Sequence, residues 1–157
     1  MRAVLDASAV LEGFEPNPPV EYAVPSAVVD EVSRGRAGER MEILLSAGLV
    51  VREPSEASRQ RVERDARMMG EETRLSRADM DVLALALDMG APAVTDDYSV
   101  QNLAACLGVE TVPFKQRGIA EVWRWGIRCP GCRRWFEEAE GPECPVCGTA
   151  LRTARRR

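Results

Sequence analysis

Four cysteines near the C-terminus form two C-x-x-C pairs, Cys129-Pro-Gly-Cys132 and Cys144-Pro-Val-Cys147, with eleven residues between them. That ligand count and spacing match a tetrahedral four-thiolate zinc site. Proline and glycine beside the sulfurs favour tight turns that aim backbone amides at thiolates. Two disulfides are the alternative, but Met1-Arg-Ala-Val-Leu5 runs straight into an apparent strand and no secretory signal is visible. Four thiolates leave no open coordination position, so the zinc would be structural and any chemistry would fall to the residues before it. Histidine is absent, which removes Ser-His-Asp and Cys-His nucleophile systems and His-ligated catalytic zinc. Hydrolysis here would rest on carboxylates acting through metal-activated water.

The elements that must position those carboxylates are legible from patterning. Ala3–Leu5, Tyr22–Val24, Leu49–Val51, Ala93–Thr95 and Val109–Val112 read as short strands. Between them lie a short helix from Ser8 closed by Gly13, and a helix from Ser26 ending near Gly35. Further helices run from Arg40 to Ala47 and from Ser55 to Met69. One starting at Ser76 stops at Gly90, and the last covers Ser99 to Leu107. Strands alternating with helices predict an α/β fold, a three-layer domain over residues 1–113 with a mostly parallel sheet. A connector (114–122), a small ribbon (123–152) and a basic tail (153–157) complete the chain. The ribbon is too short to bury a core of its own and would need the metal.

In an open parallel sheet, ligands bind beyond the carboxyl ends of the strands. Asp6 and Asp96 each follow an apolar strand. Glu31 lies on the helix after the second strand and Asp79 in the first turn of the helix from Ser76. If those helix starts share one edge, four carboxylates converge and require divalent cations to relieve their repulsion. An all-oxygen donor set suits Mg²⁺ or Mn²⁺. Each residue also has a plainer use. Asp6 could cap a helix, Asp96 could close an Asx-turn and Glu31 could be solvated. Ser76-Arg-Ala-Asp79 has the form of a capping box, and Asp81 is available on another face.

The segments Val4-Leu-Asp6-Ala-Ser-Ala, Pro25-Ser-Ala-Val-Val-Asp-Glu31-Val, Leu75-Ser-Arg-Ala-Asp79 through Ala86, and Val94-Thr-Asp96-Asp97-Tyr98 resemble a PIN domain. The longer run Thr95 to Ala104, together with the four-cysteine ribbon, is similar to the NOB-type endonucleases, in a compact form like that of the archaeal members. That resemblance implies a metal-dependent endoribonuclease that makes the 3′ end of small-subunit rRNA. Asp6, Glu31, Asp79 and Asp96 would be its metal-site residues, Asp97 a helper or alternate, and the cysteines its zinc ligands.

Charge is asymmetric, −8 over residues 1–122 and +4 over 123–157. The basic end suggests a polyanion contact, with Arg128, Arg133, Arg134, Arg155, Arg156 and Arg157 as RNA-binding candidates. Trp123, Trp125 and Trp135 offer stacking faces but read better as packing. Met68 and Met69 also read as packing residues, and Cys106 as core. The expected partners are precursor rRNA, the pre-small subunit and a further assembly factor, with no membrane and a cytoplasmic location. Two rivals stand beside this reading, a toxin-class PIN ribonuclease resembling VapC and a non-catalytic RNA-binding assembly factor.

Overall fold

The computed structural model describes residues 1–156. Five strands, β1 (Arg2–Leu5), β2 (Glu21–Val24), β3 (Val50–Val51), β4 (Ala93–Val94) and β5 (Thr111–Val112), form one parallel sheet in the order β3-β2-β1-β4-β5. Its centre is buried on both faces, as parallel sheets require, and Val4, Leu5, Ala23, Val24, Ala93 and Val94 are almost fully enclosed. The helices flanking it are α1 (Ala7–Leu11), α2 (Ser26–Glu31), α3 (Gly35–Ser46), α4 (Glu56–Met69), α5 (Arg77–Met89) and α6 (Tyr98–Leu107). The chain fills one side of β1 with β2 and β3 before crossing to β4 on the other. The direction of winding therefore changes at the β1/β4 pair, where Leu5 lies opposite Val94.

Most helix ends follow their local signals. Ser55 caps α4 and Ser76 caps α5, while Gly70, Gly90 and Gly108 take left-handed conformations at the C-caps. One boundary differs from expectation. Gly35 starts α3 instead of ending α2, so the first of these helices is short and the second begins five residues earlier than its apolar pattern indicates. Met69 is buried as expected, but Met68 is exposed. Cys106, expected in the core, also faces solvent.

The second module is an antiparallel sheet of β6 (Arg124–Arg128), β7 (Trp135–Phe136) and β8 (Arg152–Arg156), in the order β7-β6-β8. The segment expected to be a basic tail is thus a strand, paired along the whole of β6 from Arg124↔Arg156 to Arg128↔Arg152. Arg157 lies outside the described residues.

The two modules dock through a polar joint. Asn102 of α6 grips the backbone of Trp123, its Nδ2 donating to the carbonyl (2.6 Å) and its Oδ1 accepting from the amide (2.5 Å). Glu71, almost fully buried, accepts at Oε1 from Asn102 Nδ2 (2.7 Å) and from the Trp125 indole (3.0 Å). The Arg74 guanidinium lies 3.6 Å from the centre of the Trp125 ring. Trp123 and Trp125 meet edge to face, so the packing role expected of them holds at this joint.

Gly70 allows the close approach. A Cβ there would sit 2.6 Å from the Trp125 carbonyl oxygen, and its φ of +70° already disfavours a side chain. Gly70→Ala should therefore lower stability by about 2 kcal/mol and loosen the ribbon. Urea unfolding followed by tryptophan fluorescence measures both effects.

Candidate active site

Asp6 leaves the end of β1 as the N-cap of α1 and is only 1% exposed. Its Oδ1 accepts from the Ala7 amide (2.7 Å), and its Oδ2 from the hydroxyls of Ser8 (2.8 Å) and Thr95 (2.6 Å). Burial nevertheless wins over these bonds and pushes its carboxyl above the usual range, with a smaller contribution from the charge of Asp97.

Asp79 closes the capping box with Ser76. Its Oδ2 accepts from the Ser76 amide (2.7 Å), and Ser76 Oγ accepts from the Asp79 amide (3.1 Å). Burial, with the charges of Asp6 and Asp97 behind it, pushes this carboxyl up to about 6 against the opposing Ser76 bonds. Asp97 caps α6, its Oδ1 accepting from the Ser99 (2.7 Å) and Val100 (3.2 Å) amides. Asp79 and Asp97 thus each spend one oxygen on a helix N-terminus and keep the other unbonded among the described residues. Capping a helix and facing a cation are compatible roles here.

Asp6, at the end of β1, Asp97, just past β4, and Asp79, in the first turn of α5, lie near enough for the charge of one to raise the carboxyl of another, at the edge where the winding changes direction. Asp96 is not among them. Its Oδ1 accepts from the amides of Phe114 (2.9 Å) and Gln116 (3.4 Å), and its Oδ2 from Lys115 (2.9 Å). Three of its roughly four acceptor positions are filled by backbone amides of the connector, which cannot turn away; Asp6 accepts as many bonds, but two of them come from hydroxyls that can rotate. Glu31 ends α2, which packs against α1 and α5, and its side chain is exposed with no hydrogen bond among the described residues. Asp81 is drawn away by Arg59, whose Nε lies 2.8 Å from it.

Sequence reasoning missed the two hydroxyls that hold Asp6. The D-x-S spacing of Asp6 and Ser8 could have signalled one, since a residue two positions past an N-cap Asp reaches its carboxylate. Thr95 comes from 89 residues away and carried no local signal.

The raised carboxyl of Asp79 makes a signed prediction for the protein with no cation at the carboxylates. Its folded value lies above the unfolded one, so its contribution to stability is present below about pH 4 and lost as pH rises through about 6. In zinc-loaded protein without Mg²⁺ or Mn²⁺, Asp79→Asn should raise Tm at pH 7.5 and leave it nearly unchanged at pH 4, as read by circular dichroism. The asparagine oxygen can still accept from the Ser76 amide, which preserves the cap.

In the ribbon, the four cysteine sulfurs all lie within 4.8 Å of one another. Cys129 and Cys147 Sγ are 3.4 Å apart, and Cys132 and Cys144 Sγ 3.7 Å. A tetrahedral ion with metal–sulfur bonds of about 2.3 Å sets its sulfurs about 3.8 Å apart, so the donor set fits one. The Cys132 amide donates to Cys129 Sγ (3.4 Å), and the hydroxyl and amide of Thr149 push the Cys147 thiol down to about 6. The residue after each pair turns left-handed, Gly148 at φ +72° and Arg133 at φ +63°.

Of the basic candidates, Arg133, Arg134 and Arg156 are exposed. Arg155 pairs with Glu121 (2.6 Å) and stacks over Trp123, and Arg128 lies over the exposed Trp135 ring. Among the described residues no helix is long and apolar enough to cross a membrane.

Comparison with known proteins agrees with this architecture. The model of the PIN domain of ribonuclease matches residues 3–89. Endoribonuclease Nob1 of Pyrococcus abyssi is 39% identical over 159 residues, covering 100% of this chain and 96% of its own. Ribonuclease VapC1 of Thermoplasma acidophilum is 34% identical, covering 92% of this chain and 74% of its own. A solved PilT N-terminus domain protein of Sulfolobus solfataricus superposes with a TM-score of 0.52 at 18% identity, covering 77% of this chain and all of that one. The PIN model takes in both Asp6 and Asp79, and the match to Nob1 runs end to end through the cysteine module: the chain belongs to the PIN-domain ribonucleases and, among them, to the Nob1 endoribonucleases.

Proposed function

We propose that this protein is a divalent-metal-dependent endoribonuclease that cuts precursor rRNA at the 3′ end of the small-subunit RNA, acting on the pre-small subunit in the cytoplasm. The observation that carries the nuclease reading is the grouping of Asp6, Asp79 and Asp97 at the β1/β4 switch point. Each carboxylate there either lies under hydroxyl donors or keeps a free oxygen. An all-oxygen set of this kind fits Mg²⁺ or Mn²⁺, which when bound supplies an activated water and neutralises charge on the scissile phosphate.

In this proposal Asp6 is the central ligand, with Ser8 and Thr95 fixing its orientation. Asp79 and Asp97 are its companion ligands, and Glu31, exposed at the end of α2, is the fourth candidate. Asp97 takes the ligand role first expected of Asp96. The rRNA substrate rests on the likeness to the NOB-type enzymes. The toxin-class reading is weaker because Nob1 of Pyrococcus abyssi matches the whole of this chain, whereas Ribonuclease VapC3 of Aeropyrum pernix, though 40% identical, matches 73% of it. A transcript spanning the mature 3′ end, incubated with Mn²⁺ or with EDTA, tests the proposal. One metal-dependent cut at the mature end supports it; cutting elsewhere retains the nuclease and rejects the substrate.

Zinc is the metal proposed for the four cysteines, and the exposed Arg133 gives the ribbon a testable role. A non-glycine residue in the left-handed region costs about 1 kcal/mol, and such a cost is retained where the side chain is used. Arg133→Gly should stabilise the zinc-loaded ribbon by about that amount while weakening RNA binding. Thermal unfolding and RNA anisotropy on the same sample read the two opposite signs.

A further inference from the structure

A linker between two modules ordinarily makes few contacts, yet residues 114–119 are clamped at both ends by groups in the turn and helix that carry Asp97. At one end, the amides of Phe114, Lys115 and Gln116 converge on the Asp96 carboxylate. At the other, Gln101, 1% exposed, donates from Nε2 to the Thr95 carbonyl (3.0 Å) and accepts at Oε1 from the Ile119 amide (2.9 Å). The Phe114 ring packs edge to face against Phe14, 5.6 Å between centroids.

This clamp fixes the backbone of Lys115 against Asp96, next in sequence to Asp97, and holds Arg117 between the anchored amides of Gln116 and Ile119. Lys115 is the only lysine in the chain. Its Nζ lies 3.4 Å from Glu12 Oε2, a half-exposed pair that costs little to exchange for another anion. Glu12 follows α1, whose N-cap is Asp6; six residues at 1.5 Å each put it about 9 Å along the helix from the site. Arg117 is exposed and has no ion pair among the described residues.

We propose that the connector is part of the RNA track. Lys115 and Arg117 hold backbone phosphates flanking the scissile one, and Asp96 and Gln101 are positioning residues that act through the connector backbone. The proposal rests on the endoribonuclease reading for its substrate class, single-stranded RNA.

The test is the salt dependence of binding by the full-length, zinc-loaded protein, measured by anisotropy with a labelled single-stranded RNA in EDTA-free buffer without Mg²⁺ or Mn²⁺. Each lost phosphate contact lowers the slope of log K against log salt by about 0.7. Lys115→Ala and Arg117→Ala should each show that drop with a several-fold weaker Kd, and Lys115→Arg should restore it. Asp96→Asn places an amide NH₂ where an oxygen accepted, so it should lower the slope without removing a positive charge. Added to the double alanine variant, it should lower it no further. In cleavage with Mn²⁺, the lysine and arginine variants should raise KM and leave kcat within about twofold.

Slopes equal to wild type in both Lys115→Ala and Arg117→Ala overturn the proposal, whatever Asp96→Asn does to folding. Wild-type protein that binds RNA with the expected slopes but never cleaves overturns the nuclease reading and leaves the track standing.

Discussion

Asp6→Asn should abolish metal-dependent cleavage and, in the same protein, raise the Tm measured without Mg²⁺ or Mn²⁺. The first effect should be about 10³-fold or more, equivalent to about 4 kcal/mol of transition-state stabilisation. The second follows from burial. A carboxylate 1% exposed, with its carboxyl pushed above the ordinary range, opposes folding as pH rises through that raised value. Asparagine keeps the shape, accepts from the Ala7 amide and lets the Ser8 and Thr95 hydroxyls rotate to accept from its NH₂, so neutral pH no longer charges a buried group. Mn²⁺ should then raise the Tm of wild type and not of the variant, because only a ligand bound by the native state stabilises it. A plain helix cap predicts the reverse of each result: cleavage retained, no Mn²⁺ effect lost, and stability unchanged or lower. Activity and apo stability moving in opposite directions is the signature of a site assembled against its own electrostatics.

How far the sequence discloses this site depends on the range of the forces that build it. The strands, the capped ends of α4, α5 and α6 and the cysteine module follow from local chemistry: Ser55, Ser76, Gly70, Gly90 and the C-x-x-C turns each act within a few residues. The positions of Asp6 and Asp79 were legible for the same reason, since each ends or begins such an element. Adjacent Asp96 and Asp97 were not separable. What divides them is a backbone segment 18 to 20 residues further on that fills the acceptors of one and leaves an oxygen of the other. The segment expected to be a basic tail is a strand only because β6 lies beside it, and arginine-rich β8 carries no alternation of its own to announce the pairing. Gly35 ended a helix on local grounds and starts one in the fold. Cys106 shows the converse: an apolar stretch predicts burial, while the exposed edge of α6 decides against it.

Removing the ribbon metal should unfold that module while the helical body stays folded, and the chain offers two probes that separate the events. All three tryptophans fall between residues 123 and 135, so intrinsic tryptophan fluorescence reports on the ribbon and its joint. The helices α1 to α6 lie in the other module, so far-UV circular dichroism reports on it. Structural zinc contributes about 10–16 kcal/mol to modules of this size, and a three-stranded sheet with most of its side chains at least partly exposed has little else to hold it. Cys129→Ser, or a strong chelator, should therefore collapse the fluorescence signal first and leave most of the helical signal in place. The body should still lose about 1–2 kcal/mol, a Tm shift of several degrees, because Glu71 and Asn102 forfeit Trp123 and Trp125 as partners. Coincident transitions by both probes would mean that the polar joint makes the two modules one cooperative unit. Separate ones would mean that the ribbon is an attachment whose metal raises RNA affinity and leaves the carboxylate site intact, in which case the chelated protein should keep its Mn²⁺ binding and hold RNA more weakly, through the connector alone.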